Sequence, residues 1–468
     1  MYNAISKYGT MIVQLGLTMI LSRLIMPEAY GIVAIITVLI GFFNLFADIG
    51  FGINIIQHPE MDKDDINRLF SFSLIIGIIL TALTCLSSLP LVAVYDNPEY
   101  FTLCPLVSFV SFFNAINIVP NAILARDKRF NVIALRTILC AITSGLIAVI
   151  LALLNFGVYA LISQSIISAL FLFIWNYKQN PLKLKTFKRK AIFKLLGTYS
   201  LYQVFFNILN YFTRNLDNLV IGKHFGSEDL AYYNKSYYLY LYPNNIFASV
   251  ITGVLHPYIR EYKSNYKAMY EKFIQIERLL SIIGIFTMLV FFTCSTEIVL
   301  IMFGKNWEPA GLCLKGLSIC MWSQMMSSVS GSIFLGIERT DQMFKCGIIN
   351  FCLILISIII GVVCNSIYVF SIAIGVAYNL IFIITNYILI KKSLKLPLWA
   401  VYKYILTDGI FVFVACLASL LLPSFSESII LNLITKAILS VTVVLIYLIV
   451  SKKYRLLMPY IEQIKRRK

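Results

Sequence analysis

Apolar runs of about twenty residues recur from one end of the 468-residue chain to the other, and the charges sit almost entirely between them. A helix rises about 1.5 Å per residue, so roughly 20 residues cross the hydrocarbon core of a bilayer. Inside hydrocarbon a backbone must satisfy its own hydrogen bonds, which leaves only helices and closed barrels. The period-two alternation of barrel strands is absent, so the chain reads as an all-α, polytopic membrane protein. Charged residues make up 13% of it, against about 25% in soluble domains. The weakly polar stretch 1–9 leads into the first apolar run without a small-residue cleavage site, so that run is read as a retained helix.

Fourteen spans are predicted, at 5–24, 29–57, 69–95, 100–125, 132–154, 157–177, 195–224, 232–258, 279–303, 310–336, 341–364, 367–390, 403–422 and 428–450. Alternate connections are basic. With the N-terminus inside, the cytoplasmic side collects Lys63, Arg68, Arg126, Lys128, Arg129, the block from Lys178 to Lys194, and the tail from Lys452 to Lys468. The opposite side receives only Arg23, Lys223 and Lys305. That asymmetry obeys the positive-inside rule with both termini cytoplasmic. It also explains the net charge of +17: the basic residues face anionic lipid headgroups, and nucleic acid is not a partner. The ten cysteines lie in apolar segments without a CxxC pair, and the three histidines lack ligand spacing, so neither a metal nor another cofactor is predicted.

A parallel repeat is visible. MPEAYG at 26–31 has a counterpart in GSEDLAYYN at 226–234, and His-Pro recurs at 58–59 and 256–257. The exit ILARDKRF at 123–130 matches LGIERTDQMF at 335–344. The expected organisation is a six-helix bundle over 1–177, a basic cytoplasmic linker at 178–194, and a second six-helix bundle over 195–390. Two additional helices occupy 391–450, and a basic tail 451–468. Transporters commonly place substrate between such repeats.

Within this apolar chain one span is conspicuously polar. The run 207–226 carries Asn207, Asn210, Arg214, Asp217 and Asn218, which at about 100° per residue share roughly a third of the helix circumference. A polar face at membrane depth looks into protein or water, so it is expected to line a hydrophilic cavity. If the two halves meet about a pseudo-two-fold axis, spans one, two, seven and eight bring Gln14, Asn44, Asp48 and Lys235 towards the same space, with Arg23 at its outer rim. Asp408 and Lys436, on adjacent spans and of opposite sign, are expected to form a structural ion pair, whereas Glu297 and Lys315 are expected to snorkel. The aspartate-rich DKDD at 62–65 is read as a helix-capping turn rather than a metal site. The His-Pro pairs are read as helix-end features. Arg260–Arg278 is read as an amphipathic helix lying at the interface.

The stretches LSRLIMPEAYGIVAI, FADIGFGINIIQHP, ARDKRF and NLDNLVIGKHFGSEDLAYYN, with its LYPNNIF continuation, resemble the Wzx-type lipopolysaccharide and capsular polysaccharide flippases. These belong to the multidrug/oligosaccharidyl-lipid/polysaccharide (MOP) exporter superfamily, and the similarity runs through nearly the whole chain. It implies a V-shaped pair of six-helix bundles around a central cavity, in the bacterial cytoplasmic membrane. By alternating access such a protein moves an undecaprenyl-diphosphate-linked oligosaccharide to the outer leaflet. On that resemblance Arg214, Lys235 and Arg23 inherit diphosphate binding, and Gln14, Asn44, Asn207, Asn210 and Asn218 the sugar. The last two spans contribute a lipid groove. Asp48 and Asp217 depart from a purely cationic cavity; each is a candidate for coupling to H⁺ or Na⁺, and Asp217 equally for steadying Arg214. A polysaccharide polymerase and chain-length machinery are the implied protein partners.

Two other classes compete. A drug or cation exporter of the same superfamily prefers an acidic, aromatic cavity, which Arg214 opposes. A polyprenyl-sugar glycosyltransferase or polymerase needs a sizeable extracytoplasmic loop for its acid/base groups, and the outer loops here are short, so the chain is read as no enzyme. The topology is testable: a cysteine introduced as Thr186→Cys is expected to react with a membrane-impermeant thiol reagent only from the cytoplasmic side, and labelling from outside contradicts it.

Overall fold

A computed structural model describes residues 2–47, 51–186, 201–261, 266–421 and 426–456. Among these, the regular structure is helical. The chain forms two compact units, Met1–Ala231 and Tyr232–Lys468. Ten of the described helices are long and apolar enough to cross a membrane. The protein is therefore a multi-pass helical membrane protein. Asp48, the basic residues Lys188, Arg189, Lys190 and Lys194, and the tail beyond 456 lie outside the described residues.

The first unit holds α1 (Tyr2–Leu24), α2 (Pro27–Ala47), α3 (Phe51–Gln57), α4 (Lys63–Leu86), α5 (Ser88–Tyr95), α6 (Tyr100–Arg126), α7 (Phe130–Leu153), α8 (Val158–Gln179) and α9 (Leu201–His224). Helix α6 is its axis, packing against α2, α3, α4, α5, α7 and α8. Small residues make that possible: Gly77 of α4 lies where an added Cβ meets Phe112 at 3.2 Å, and Ala115 and Ala122 are buried on the facing side. The DKDD turn behaves as read from sequence. Asp62 caps α4, its side chain accepting the Asp65 amide at 2.6 Å, and Asp64 pairs with Lys185 at 2.5 Å. Just before it α3 ends at Gln57, and His58 stands exposed beside Glu60 at 2.8 Å. A backbone amide hydrogen bond, and then the His58 ring, hold the Glu60 carboxylate below its ordinary pKa.

Helix α10 (Ser227–Glu261) leads into the second unit, followed by α11 (Tyr266–Thr293), α12 (Ser295–Phe303), α13 (Glu308–Ser318), α14 (Met321–Ser327), α15 (Ser330–Gly336), α16 (Thr340–Val363), α17 (Ile367–Tyr387), α18 (Trp399–Leu420) and α19 (Ile429–Val450). Helix α11 is the axis here, against α13, α14, α18 and α19. The interfacial helix expected at 260–278 is corrected. From Tyr266 onward it is the first turns of α11, because its aromatic face finds protein to pack on. Phe273 is fully buried, and the Tyr270 hydroxyl donates to the Pro397 carbonyl at 2.5 Å. The expected ninth span breaks at Cys294 and the tenth divides into α13, α14 and α15.

Helices α1, α9 and α10 have 23, 24 and 35 residues, long enough to cross, and are not among those ten; α9 and α10 are the most polar of the long helices. At the turn before α10 the chain comes very close to α2. An added Cβ on Gly31 overlaps the Ser227 carbonyl oxygen and stands 2.8 Å from the Ser227 Cα, whereas at Gly16 nothing lies within 4 Å. Backbone cannot give way as a side-chain tip does. Gly31→Ala is expected to lower stability by about 1–3 kcal/mol, read as a lower melting temperature in detergent, with Gly16→Ala unaffected or stabilised. Equal melting temperatures for both contradict the close approach.

Candidate functional site

The polar helix α9 is held to α2 by an apolar seam. The Phe42 and Phe212 rings pack at a tilt of 52° with centroids 5.5 Å apart, and the Tyr211 hydroxyl donates to the Val38 carbonyl. Gly222 allows the approach, since a Cβ there meets Ile35 at 2.8 Å. At its far end Lys223 pairs with Asp96 at 2.9 Å, and the Tyr95 hydroxyl donates to the Leu219 carbonyl at 3.2 Å. The polar face grades along the helix. Asn207 and Asn210 are half-buried and Arg214 is exposed, while Asp217 and Asn218 are buried. Asp217 Oδ1 accepts the Asn218 backbone amide at 2.8 Å.

A second polar feature lies inside the first unit. A cavity of about 260 Å³ is lined by Asn44 and Ala47 of α2 and by Asn114, Asn117, Ile118 and Asn121 of α6. Two of these amides are oriented from behind. Asn176 Nδ2 of α8 donates to Asn117 Oδ1 at 2.6 Å, and Arg136 Nη2 of α7 donates to Asn121 Oδ1 at 2.6 Å. With their oxygens engaged, Asn117 and Asn121 keep N–H donors to offer. Asn44 supplies the complement: its Oδ1 is buried without a hydrogen-bond partner. The guanidinium of Arg136 is 4% exposed, and its Nε and Nη1 are also unpartnered. Desolvated donors and acceptors of this kind are costly unless something fills them. The cavity is therefore equipped to hydrogen-bond a polyhydroxyl ligand or ordered water.

Of the residues singled out from sequence, Asn44 is the one the structure places in this cavity. Asn114, Asn117 and Asn121 were not among them, although a signal existed: polar residues at i, i+3 and i+7 in an apolar span define one helix face. Gln14 and Arg23 are exposed on α1. Lys235, on α10 in the second unit, lies over the Phe303 and Trp307 rings at 5.6 and 5.8 Å.

The expected ion pair of Asp408 with Lys436 is corrected: each takes a different partner. Lys436 of α19 pairs with Glu297 of α12 at 2.5 Å, with side-chain exposures of 16% and 9%, so Glu297 does not snorkel. Asp408 of α18 instead takes Lys453, which follows α19, and the hydroxyls of Tyr447 and Ser281. Helix adjacency and opposite sign are not enough to pair Asp408 with Lys436, because the two stand at different depths along their helices. Lys315 lies over the Phe292 ring at 5.1 Å. A further carboxylate, Glu277 of α11, was hidden in a basic stretch. It is fully buried and held by neutral donors, Asn386 Nδ2 at 3.1 Å and the Tyr404 hydroxyl. Among the described residues, no group of three His, Cys, Asp or Glu is placed to hold a metal ion.

Comparison with solved structures defines the fold. A lipid II flippase MurJ in an inward closed conformation superposes with TM-score 0.74 at 18% identity, covering 97% of this chain and 99% of that one. A multidrug resistance MATE family transporter of the MOP superfamily, inward-facing, gives 0.62 at 14% identity, covering 87% and 95%. The chain thus has the multi-span helical fold of the MOP superfamily. The chain belongs to the family of polysaccharide biosynthesis proteins, whose family model matches residues 20–312. Similar curated proteins include the teichuronic acid biosynthesis protein TuaB of Bacillus subtilis (strain 168), 22% identical over 65% of this chain and 63% of that protein. The succinoglycan biosynthesis transport protein ExoT of Rhizobium meliloti (strain 1021) is 23% identical over 66% and 63%. The lipopolysaccharide biosynthesis protein WzxC of Escherichia coli (strain K12) is 22% identical over 75% and 72%. The matched region thus spans 63% of the length of the first two relatives.

The reassigned pair yields a stability test. Lys436→Met strands Glu297 among apolar neighbours, and the expected loss is about 3–5 kcal/mol. Adding Glu297→Gln removes the stranded charge and is expected to restore most of the melting temperature. A double variant no better than the single one contradicts the pairing.

Proposed function

We propose that the protein is a flippase. It takes an undecaprenyl-diphosphate-linked oligosaccharide at the cytoplasmic leaflet and delivers the headgroup to the outer leaflet by alternating access, for cell-surface polysaccharide biosynthesis. The asparagine cavity of the first unit is the observation that carries this reading: amide donors and an unpartnered acceptor, enclosed by apolar helices, suit sugar hydroxyls. Family membership supports it. So do the names of the similar proteins, which concern teichuronic acid, succinoglycan and lipopolysaccharide biosynthesis and, for a solved structure, lipid II flipping.

In this reading the chain has fourteen spans, two six-helix bundles in parallel repeat plus two further helices, and cytoplasmic termini in a bacterial inner membrane. The polar helices α1, α9 and α10 face water rather than lipid. Arg214, with Lys235 and Arg23, grips the diphosphate, since a guanidinium matches two phosphate oxygens at once. Gln14, Asn44, Asn207, Asn210 and Asn218 hydrogen-bond sugar, joined by Asn114, Asn117 and Asn121. The polyprenyl tail stays in the bilayer. An inside-negative potential favours outward movement of an anion by about 2.3 kcal/mol per charge per 100 mV, so transport can be biased without an ion. Asp48 and Asp217 are the groups through which H⁺ or Na⁺ can add to that bias, and a polymerase with its chain-length machinery receives the product.

A drug exporter is the second reading, favoured by the shared MATE fold. Complementation separates them. In cells lacking their own flippase the protein is expected to restore surface glycan. Arg214→Ala, and separately Asn117→Leu with Asn121→Leu, are expected to cut it by about tenfold or more at equal protein level. Full export by Arg214→Ala ends the phosphate role. Restored drug efflux without surface glycan favours the exporter.

A further inference from the structure

The ends of α18 and α19 enclose a cavity of about 380 Å³, lined by Arg278, Lys403, Lys452, Lys453 and Arg455 with one carboxylate, Asp408. That carboxylate is already committed. Lys453 and the Tyr447 hydroxyl donate to Oδ1, and Ser281 Oγ donates to Oδ2 at 2.5 Å, itself accepting from Trp322 Nε1 at 2.8 Å. Glu277, behind the cavity wall, is fully buried and engaged by Tyr404 and Asn386. Four cations are left over: among the described residues Arg278, Lys403, Lys452 and Arg455 have no carboxylate within ion-pair distance. Arg278 is held in place by the Tyr404 ring, 5.3 Å from its Cζ, and its buried Nε has no hydrogen-bond partner. Cations gathered from three elements, α11, α18 and the turn after α19, repel one another unless an anion sits among them.

The surface beside the cavity narrows the choice of anion. From Lys403 an apolar stripe runs along α18 through Leu406, Ile410, Phe413 and Leu417, exposed by 54, 63, 65 and 49%. Their spacing keeps them on one helix face. A soluble anion has no use for such a track, whereas a lipid places its headgroup at the basic end and its chains along the stripe. Basic pockets between membrane helices are suited to phosphate-bearing headgroups.

We propose that this cavity is a binding site for the phosphate headgroup of an anionic membrane lipid, which bridges α11, α18 and the end of α19 and seats its acyl chains along α18. It is separate from the flippase reading and stands or falls without it. With four uncompensated cations, a headgroup carrying two phosphates is favoured over one carrying a single phosphate.

The full-length protein in detergent, mixed with cardiolipin, phosphatidylglycerol or phosphatidylcholine, tests this by native mass spectrometry. Cardiolipin retention is expected to exceed phosphatidylglycerol, and both to exceed phosphatidylcholine. Lys403→Gln, Lys452→Gln and Arg455→Gln together, all at exposed positions, are expected to cut cardiolipin retention by about tenfold or more. An equal-charge control, Lys128→Gln, Lys178→Gln and Lys345→Gln, is expected to retain it. If the control loses lipid as fully as the pocket variant, the attraction is diffuse and the site is wrong. Unchanged retention in the pocket variant also overturns it. Displacement of cardiolipin by millimolar inorganic phosphate assigns the cavity to a soluble anion and refutes the lipid assignment.

Discussion

What organises this structure is the cost of a polar group in hydrocarbon. Each unpaired backbone or side-chain group there costs several kcal/mol, so polar residues in membrane helices must be turned inward, paired or wetted. The chain meets this demand in three ways. Glu277 and Asp408 are satisfied by donors from neighbouring helices. Glu297 and Lys436 neutralise each other. The asparagines of α2 and α6 are instead gathered around a cavity and left partly unsatisfied. The third arrangement places its spare hydrogen-bonding capacity on the wall of a cavity, where a ligand can use it.

The two units reach this end with similar means. In each, one long helix serves as axis, α6 in the first and α11 in the second, and small residues let neighbours approach. Gly77 meets Phe112 in one, and Gly284 lies 3.0 Å, by its added Cβ, from the Trp322 backbone in the other. Without a hydrophobic drive between helices in lipid, such close packing is what holds membrane helices together. The polar cavity of the first unit has its amides oriented by neighbouring helices. Asn117 and Asn121 are fixed by partners on α8 and α7, so the donors are set before any ligand arrives.

Much of this was legible from sequence, where a property is carried by a single segment. The all-helical membrane class, the capping role of Asp62 and the polar face of helix α9 each follow from local composition and helical period. What the sequence did not disclose depends on register between segments far apart. Asp408 and Lys436 lie on neighbouring spans, but which residue stands level with which is set by helix length and tilt, and the partners proved to be Lys453 and Glu297. Glu277 hid within a basic run whose burial only the packing of α11 reveals. The asparagine face of α6 was readable in principle from its i, i+3, i+7 spacing, and was masked by an otherwise ordinary apolar helix.

The central claim is that the polar faces of α6 and α9 meet water within a lipid-embedded protein. Single cysteines along both helices, in a background without native cysteines, measure it by reaction with a small hydrophilic thiol reagent in intact membranes. Reaction is predicted at 114, 117 and 121 and at 207, 210 and 214, recurring with the helical period, and its absence at Leu106 and Phe109, which are apolar and exposed. Reactivity that is uniform along each helix, or absent from the polar positions, would contradict the account.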